Sequence, residues 1–405
     1  MPASSRRRAL LLICAVAVAV ATNYTIQGPV LGFIRAEFSL SSADAGAVAT
    51  AFFAGGAITM LAGGAIADRI GTRPAVTLGF LLVAIGNLGA GLLSPTFPAL
   101  LAWRVLGGVG SGFGFAAGAS YTRSIFDDRG RHLAQGLYGA SFLLGSGITL
   151  VYIPILAGPS GDWRLAFTLS ALAVGVVWVV WTLVAPSEAR TPAVAGARAA
   201  LLVALSERNT WLLAICHMCG FGMAIVISTW VTLYLSDTFG LSVAAAGLVG
   251  SLTLATGIAA RASGGAILEG GLGPIRLIRA GLVLAIIGLT TMALAPALPV
   301  AIAGLVITGL GVGFPYAAVF NGAAASAPTS PASAQAMVGW GGLLTAVFGP
   351  PLVGILLDAT GGFADGFLAL AALVVVVLAL TTLIRPFDLA RVEAATAEAD
   401  RQSPR

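Results

Sequence analysis

The sequence predicts an all-α membrane protein, with twelve transmembrane helices in two pseudo-symmetric bundles of six. Three observations carry that prediction. Of 405 residues, 58% are hydrophobic and only 9% are charged, against about 25% charged in an average soluble chain; mean hydropathy is +0.98. The apolar residues fall in runs of roughly 20 or more, the length a helix needs to cross a hydrocarbon core. Landmarks of the first half also return in the second at a nearly fixed spacing. In lipid each backbone N–H and C=O must find a partner within its own segment, so such runs form helices.

The runs follow in order. Run one, 9–34, comes after the basic triplet Arg6, Arg7 and Arg8. A cleaved leader is the competing reading, with "AVA" at 19–21 as its cleavage site. The apolar segment continues to Ile34, however, and its removal would leave an odd number of helices. Run two, 44–67, ends in "GGAIADRIGTR" (63–73), a joint that carries Asp68, Arg69 and Arg73. Run three, 74–93, is closed by Pro95 and Pro98; run four, 97–122, holds Arg104 and a glycine series. Run five, 133–157, follows a joint bearing Arg123, Arg129 and Arg131; run six, 164–185, starts within "WRLAF". The longest joint, 186–208, reads as a linker with a short amphipathic helix at the membrane surface. Runs seven (209–235) and eight (243–268) follow, with Arg261 inside the latter and Glu269 just beyond its end. Runs nine (275–295) and ten (297–321) are divided by Pro296 and Pro299, which match the joint between three and four. Runs eleven (333–357) and twelve (363–384) complete the set. The expected organisation is therefore a six-helix bundle at 1–185, a linker at 186–208, a second bundle at 209–384 and a tail at 385–405.

Charge gives the orientation. The net charge is +5 and all 21 basic residues are arginine. They are too scattered for a nucleic-acid surface, having neither a basic stripe nor interleaved aromatics. With the N-terminus inside, seventeen arginines fall in inner segments and only Arg35 and Arg164 in outer ones. Positive charge collects on the cytoplasmic side of membrane proteins, so both termini are expected in the cytoplasm and the chain in the cell (inner or plasma) membrane. The three cysteines, Cys14, Cys216 and Cys219, lie inside apolar runs, which argues against a disulfide scaffold. "CHMC" at 216–219 reads either as a Cys-x-x-Cys site or as small residues packed within a helix, and the second reading is preferred. No cofactor, metal cluster, nucleophile triad or soluble catalytic domain is expected, so the chain is not read as an enzyme.

The repeat has an offset of 201. "GGAIAD" at 63–68 returns as "GGAILE" at 264–269, and the glycines 108, 110 and 112 return as 309, 311 and 313. "GDWRLAF" at 161–167 returns weakly as "GGFADGF" at 361–367, a shift of 200 (361−161). Paired halves of this kind bind solute between them near the midplane and rock about it. The chain resembles the major facilitator superfamily of transporters over its whole length. Gly64, Asp68, Arg69, Gly71 and Arg73 match that family's signature Gly-x-x-x-Asp-Arg-x-Gly-x-Arg. Arg104, Gly108, Gly110 and Gly112 match its helix-four signature, and "WRLAF" is also family-like. The resemblance implies the twelve-helix fold and secondary active transport of a small solute by alternating access.

Within that frame the charges acquire expected roles. Asp68 at the inner surface, with loop arginines such as Arg73 and helix N-termini across the interface, is expected to form a latch that holds the cytoplasmic face closed. Arg69 and Arg73 equally satisfy the positive-inside rule. Glu269 replaces Asp68 in the second half with no arginine directly following, so a second latch would be degenerate. The spans hold no acidic residue near a midplane, so a proton, if coupled, would need His217, a bound anion or an end carboxylate. Arg104 is read either as a conformational or proton-coupling element, which the resemblance implies, or as a hydrogen-bond anchor. Arg261 lies about 12 Å above the inner surface at 1.5 Å per residue. "ARASGGAILE" is similar to helix eight of nitrate/nitrite-type and monocarboxylate-type facilitators, where an arginine meets the anion. The offset places Met60, not a second arginine, at the equivalent position of helix two, which argues against a two-arginine nitrate clamp. A guanidinium suits an oxyanion because it offers parallel N–H donors; a salt bridge to Glu269 is the alternative. In this family helices 1, 4, 7 and 10 face the cavity. The remaining substrate candidates are accordingly Asn23, Tyr24 and Gln27, with His217, Trp230, Tyr316, Asn321 and Trp340; Tyr121 is considered beside them, and Pro315 marks a kink. The expected partners are a small solute, leaning to an organic or inorganic anion, the lipid bilayer and no nucleic acid, with a monomeric chain. An efflux antiporter for drugs or metabolites is the nearer rival, although its Gly-x-x-x-Gly-Pro run is not matched by "GASFLLGSGITL". A membrane sensor that moves nothing is the remoter one.

Overall fold

The structure is a computed structural model that describes residues 3–125, 128–186 and 197–387, with the side chains of 3–4, 61–68, 123–124, 128–133, 135–136, 197–200 and 332 outside the description. Among the described residues there is no strand. Twelve helical spans are long and apolar enough to cross a membrane. In the first half these are span 1 (Ser5–Phe38), 2 (Ser42–Met60), 3 (Thr72–Leu92), 4 (Phe97–Thr122), 5 (Leu137–Leu156) and 6 (Trp163–Val184). In the second they are span 7 (Arg208–Phe239), 8 (Val243–Glu269), 9 (Pro274–Ala293), 10 (Leu298–Ser326), 11 (Ser333–Thr360) and 12 (Phe363–Leu383). An even number of crossings puts both described chain ends on one face, here called proximal; the opposite face is distal. A helix at Ala197–Ser206 sits in the stretch read as the linker, whose residues 187–196 lie outside the described ones.

Each half has its own packed core. One cluster is built mainly from residues of 204–384, among them Trp230, Leu254 and Leu305, with Leu31 and Leu143 joining from the first half. Another is built mainly from residues of 9–185, among them Phe52, Phe80 and Trp181, with Ile225 and Leu343 joining from the second. Large apolar side chains that remain exposed, such as Leu183, Val176 and Leu92, form the surface a bilayer would cover.

The repeat is visible in how the helices touch. A Cβ on Gly108 would strike the carbonyl of Phe52, and one on Gly309 would strike the carbonyl of Thr253. One on Gly112 would strike Gly56, and one on Gly313 would strike Gly257. Both partners of each contact are shifted by 201 (309−108, 253−52; 313−112, 257−56). The glycine series in span 4, like its copy in span 10, therefore exists so that two helix backbones can meet, as small residues allow in membranes.

Four spans depart from the regular rods that the runs predict, span 8 among them with a break at Ser251 between helices Val243–Gly250 and Leu252–Glu269. Span 1 breaks at Ile26, between helices Ala3–Thr25 and Gln27–Phe38. Pro29 has no N–H for the Thr25 carbonyl and its ring crowds that group. Span 7 contains a π-turn over Met218–Gly222. Span 10 is interrupted between Gly313 and Tyr316, where Pro315 stands; the offset puts Gly114 at that place in span 4, which runs unbroken from Phe97 to Ile125. Spans 1 and 7 are also longer than the runs 9–34 and 209–235, at 34 and 32 residues.

Candidate functional site

A cavity lies between the halves, against spans 1, 2, 4 and 5 on one side and 7, 8, 10 and 11 on the other. Spans 2, 5, 8 and 11 thus join the four that the resemblance implied. Toward the distal face the halves are sealed against each other. Thr50 of span 2 donates to the Val347 carbonyl at 2.5 Å; Pro351, four residues on, leaves that carbonyl without its helical partner. A Cβ on Gly46 would meet the Pro350 backbone at 2.7 Å. Asp358, at the end of span 11, accepts from the Ser42 and Ala43 backbone N–H groups at 2.8 and 2.9 Å. It is a carboxylate cap on the first turn of a helix in the other half, where the helix dipole favours negative charge. Arg35 approaches the same carboxylate at 3.9 Å.

The cavity wall has two chemically distinct clusters. Around Tyr24 of span 1 the rings of Phe53, Phe142 and Phe221 stand at centroid distances of 5.4, 5.7 and 5.9 Å. The Tyr24 hydroxyl accepts from Ser111 Oγ at 3.2 Å. The second cluster holds the charge. The Arg261 guanidinium lies 4.2 Å above the Tyr316 ring, in reach of a cation–π attraction. The His217 imidazole is buried, with Tyr316 at 6.0 Å and Phe320 edge-on at 4.9 Å. Gly342 makes room for it, since a Cβ there would lie 2.9 Å from His217 Cδ2. No hydrogen bond or ion pair joins Arg261 to a described residue, although the guanidinium lines the cavity. Met60, its counterpart at the offset of 201, lines the cavity as well.

The other intramembrane arginine is placed quite differently. Arg104 is 1% exposed. Its Nε donates to the Val48 carbonyl at 3.3 Å, and Nη2 donates to the Asn23 carbonyl at 3.1 Å and to Gln27 Oε1 at 3.0 Å. Phe52 lies against its guanidinium carbon at 4.3 Å. Asn23 in turn accepts from Asn87 Nδ2 and Ser170 Oγ through Oδ1, and Gln27 donates to the Tyr24 carbonyl at 3.0 Å. Arg104 thus ties spans 1, 2 and 4 together.

Of the expected substrate residues, Tyr24, His217, Arg261 and Tyr316 line the cavity. Five do not line it. Asn23 and Gln27 are 0% exposed: the Asn23 amide is turned to Asn87 and Ser170 of spans 3 and 6, and Gln27 Oε1 meets Arg104 of span 4. Trp230 is 0% exposed, with its indole N–H on the Pro350 carbonyl at 3.1 Å. Trp340 donates to the Ala57 carbonyl at 3.2 Å, in the contact between spans 2 and 11. Asn321 is exposed and lies off the cavity wall. Tyr121 is also buried, with its hydroxyl on the Pro186 carbonyl. The sequence reading passed over the phenylalanines of the wall. Phe52 and Phe53 were detectable only through their nearness to the helix-two position paired with Arg261.

The signature residues fall partly outside what is described. Gly64 and Asp68 lie among the residues whose side chains are not, so the latch is not seen. Gly71 has φ 96°, a left-handed conformation that glycine alone adopts without strain, and it makes the turn from span 2 into span 3. Arg69 and Glu269 are exposed. Arg73 Nη2 donates to the Thr182 carbonyl of span 6 at 2.8 Å, within its own half. At the distal face Glu37 Oε2 accepts from Arg164 at 2.6 Å and from the Trp163 indole at 2.7 Å, so "WRLAF" pins span 6 to span 1.

Comparison with known proteins gives these arrangements a context. A family model described as Major Facilitator Superfamily matches residues 13–334. The chain is 27% identical over 381 residues to "Hexuronate transporter" of Bacillus subtilis (strain 168), covering 87% of this chain and 89% of that protein. It is 24% identical over 395 residues to "Probable sulfoacetate transporter SauU" of Cupriavidus necator, covering 90% and 89%. Among solved structures, an inward-facing bacterial homolog of the human lysosomal transporter Spinster superimposes with a TM-score of 0.81 at 18% identity, over 97% of this chain and 98% of that one; that likeness concerns the fold.

Proposed function

The chain belongs to the Major Facilitator Superfamily, a secondary transporter of small solutes and not an enzyme, and on that premise we propose that its solute is an anion held by Arg261. One observation carries the reading. A guanidinium lines the cavity between the halves, and no described acceptor uses its donors. An arginine costs about 2.5–3.5 kcal/mol at a helix centre on insertion scales, and its fork fits a carboxylate or sulfonate. Two relatives named for anionic solutes, a hexuronate and a sulfoacetate transporter, support an anionic solute.

Two bundles, 1–185 and 209–384, rock about the cavity across the 186–208 linker. The chain works as a monomer in the cell membrane with both termini in the cytoplasm, as its arginine distribution supports. Asp68 latches the cytoplasmic face; a co-transported proton uses His217 or the bound anion. Flux in proteoliposomes tests the central step: Arg261→Ala should insert and fold normally yet carry anions at least about tenfold more slowly, the loss of a charge-assisted hydrogen bond. Unchanged anion flux would remove Arg261 from the site. Asp68→Asn tests the latch, and normal turnover there would dispose of it.

The wall also favours a second reading. Its phenylalanines would suit a neutral hydrophobic drug or metabolite, and flux of such a solute that is indifferent to Arg261→Ala would select that reading.

A further inference from the structure

Resting on the anion reading above, we infer that the solute is a monoanion borne on an apolar, ring-sized body: an aromatic monocarboxylate or its like, not a sugar acid and not a bare oxyanion. Three inventories of the cavity wall lead there.

The first is charge. Among the described lining residues Arg261 is the one permanent cation, and none of them is an Asp or Glu. One guanidinium balances one negative charge. A dianion would bring a second charge into a region of low dielectric with only a histidine to meet it.

The second is hydrogen bonding. Beyond Arg261 and His217 the wall offers the hydroxyls of Tyr24, Ser111 and Tyr316. One of these already donates to another, Ser111 to Tyr24 at 3.2 Å. The several hydroxyls of a hexuronate would leave water for a wall unable to pair most of them, and a buried polar group without a partner is penalised in full. The hexuronate transporter matched above is thus similar in chain while this cavity is built for a less polar molecule.

The third is apolar surface. Phe53, Phe142 and Phe221 form one aromatic patch around Tyr24, and Phe320 adds a ring beside His217. Ring stacks and edge-to-face pairs reward a flat apolar partner at centroid spacings of about 4.5–7 Å. A bare oxyanion of a few atoms would touch Arg261 and leave the aromatic patch around Tyr24 to water. A carboxylate on a ring meets both clusters at once.

The test uses purified wild-type protein and its thermal melting, with four probes at matched ionic strength against a chloride background: benzoate, benzamide, galacturonate and nitrate. The expected result is that benzoate raises Tm with a half-effect at a concentration at least about tenfold below that of the other three, the discrimination that one mismatched group gives. If galacturonate or nitrate matches benzoate, the apolar-body inference falls and the anion reading stands. If benzamide matches benzoate, the anion reading falls and takes this inference with it. If benzoate gives no shift beyond chloride, the inference is overturned whatever the other probes do. No variant is needed, so misfolding cannot obscure the result.

Discussion

Arg104 and Arg261 are the same residue placed at similar expense inside the same kind of helix, and the protein treats them in opposite ways. Arg104 is enclosed, donates to three acceptors on spans 1 and 2 and stacks on Phe52. Arg261 has one aromatic face beneath it and a cavity in front. A charge in a membrane helix is tolerated for either of two reasons, because neighbouring backbone absorbs it or because something mobile will. The first arginine is part of the frame and the second part of the site. The positions are not repeats of one another: the counterpart of Arg104 is Leu305, a buried core residue, and that of Arg261 is Met60. Each half has kept one cation for one purpose.

Substitutions can break this contrast. The largest effect is expected from Arg104→Ala, which leaves Gln27 Oε1 without its donor in a dry interior and takes away the donors that tie the Val48 and Asn23 carbonyls together. At about 1–3 kcal/mol for each unpaired buried group, the variant should melt several degrees lower and give poor yields of folded protein, measurable by thermal melting in detergent. Arg104→Lys should rescue little, because an ammonium lacks the planar fork that reaches three acceptors. Arg261→Ala comes next for transport but near the bottom for stability. It forfeits a cation–π contact of about 0.5–1 kcal/mol and should melt almost normally while flux falls. If Arg261→Ala collapsed the fold and Arg104→Ala spared it, the two assignments would have to be exchanged.

Smaller effects sharpen the picture. Asp358→Asn leaves one acceptor oxygen for the two backbone N–H groups of Ser42 and Ala43 and removes the charge of the distal cap, itself worth about 0.3–1 kcal/mol at a helix N-terminus. It should shift the population toward the distal-open state by at least about two- to fivefold, read as faster thiol labelling of a cysteine placed at Pro350. No change in labelling would mean that the seal rests on the packing of spans 2 and 11 alone. The smallest effect is expected from Tyr316→Phe, which keeps the ring under Arg261 and deletes one hydroxyl from the wall. Anion flux should change less than about threefold, since the quadrupole of the ring, not its oxygen, supports the guanidinium; a loss as large as that of Arg261→Ala would make the hydroxyl a ligand.

How far the sequence could be read depends on what each feature rests on. The twelve spans were legible because apolar length is a local property. The glycine contacts at Phe52 and Thr253 were legible as a repeat because a backbone approach needs glycine at one defined place in each half. The breaks in spans 1 and 10 were half legible: Pro315 was read as a kink, while Pro29 was passed over. The site was legible in its charges, since an intramembrane arginine demands a reason, but not in its phenylalanines, which look the same whether they face a cavity, a core or lipid.

Asn23 and Tyr24 show where the division lies. They are neighbours in one helix, both suited to a solute site by composition and depth. One is 0% exposed and bound up with Asn87, Ser170 and Arg104, and the other lines the cavity. The sequence by itself determined the helices, their number, their pairing into halves and the scarcity of charge among them, because lipid imposes those on the chain segment by segment. Only the tertiary structure decided which side chains meet a solute, because each residue turns the helix by about 100° and the direction called inward is set by neighbouring helices far away in the chain.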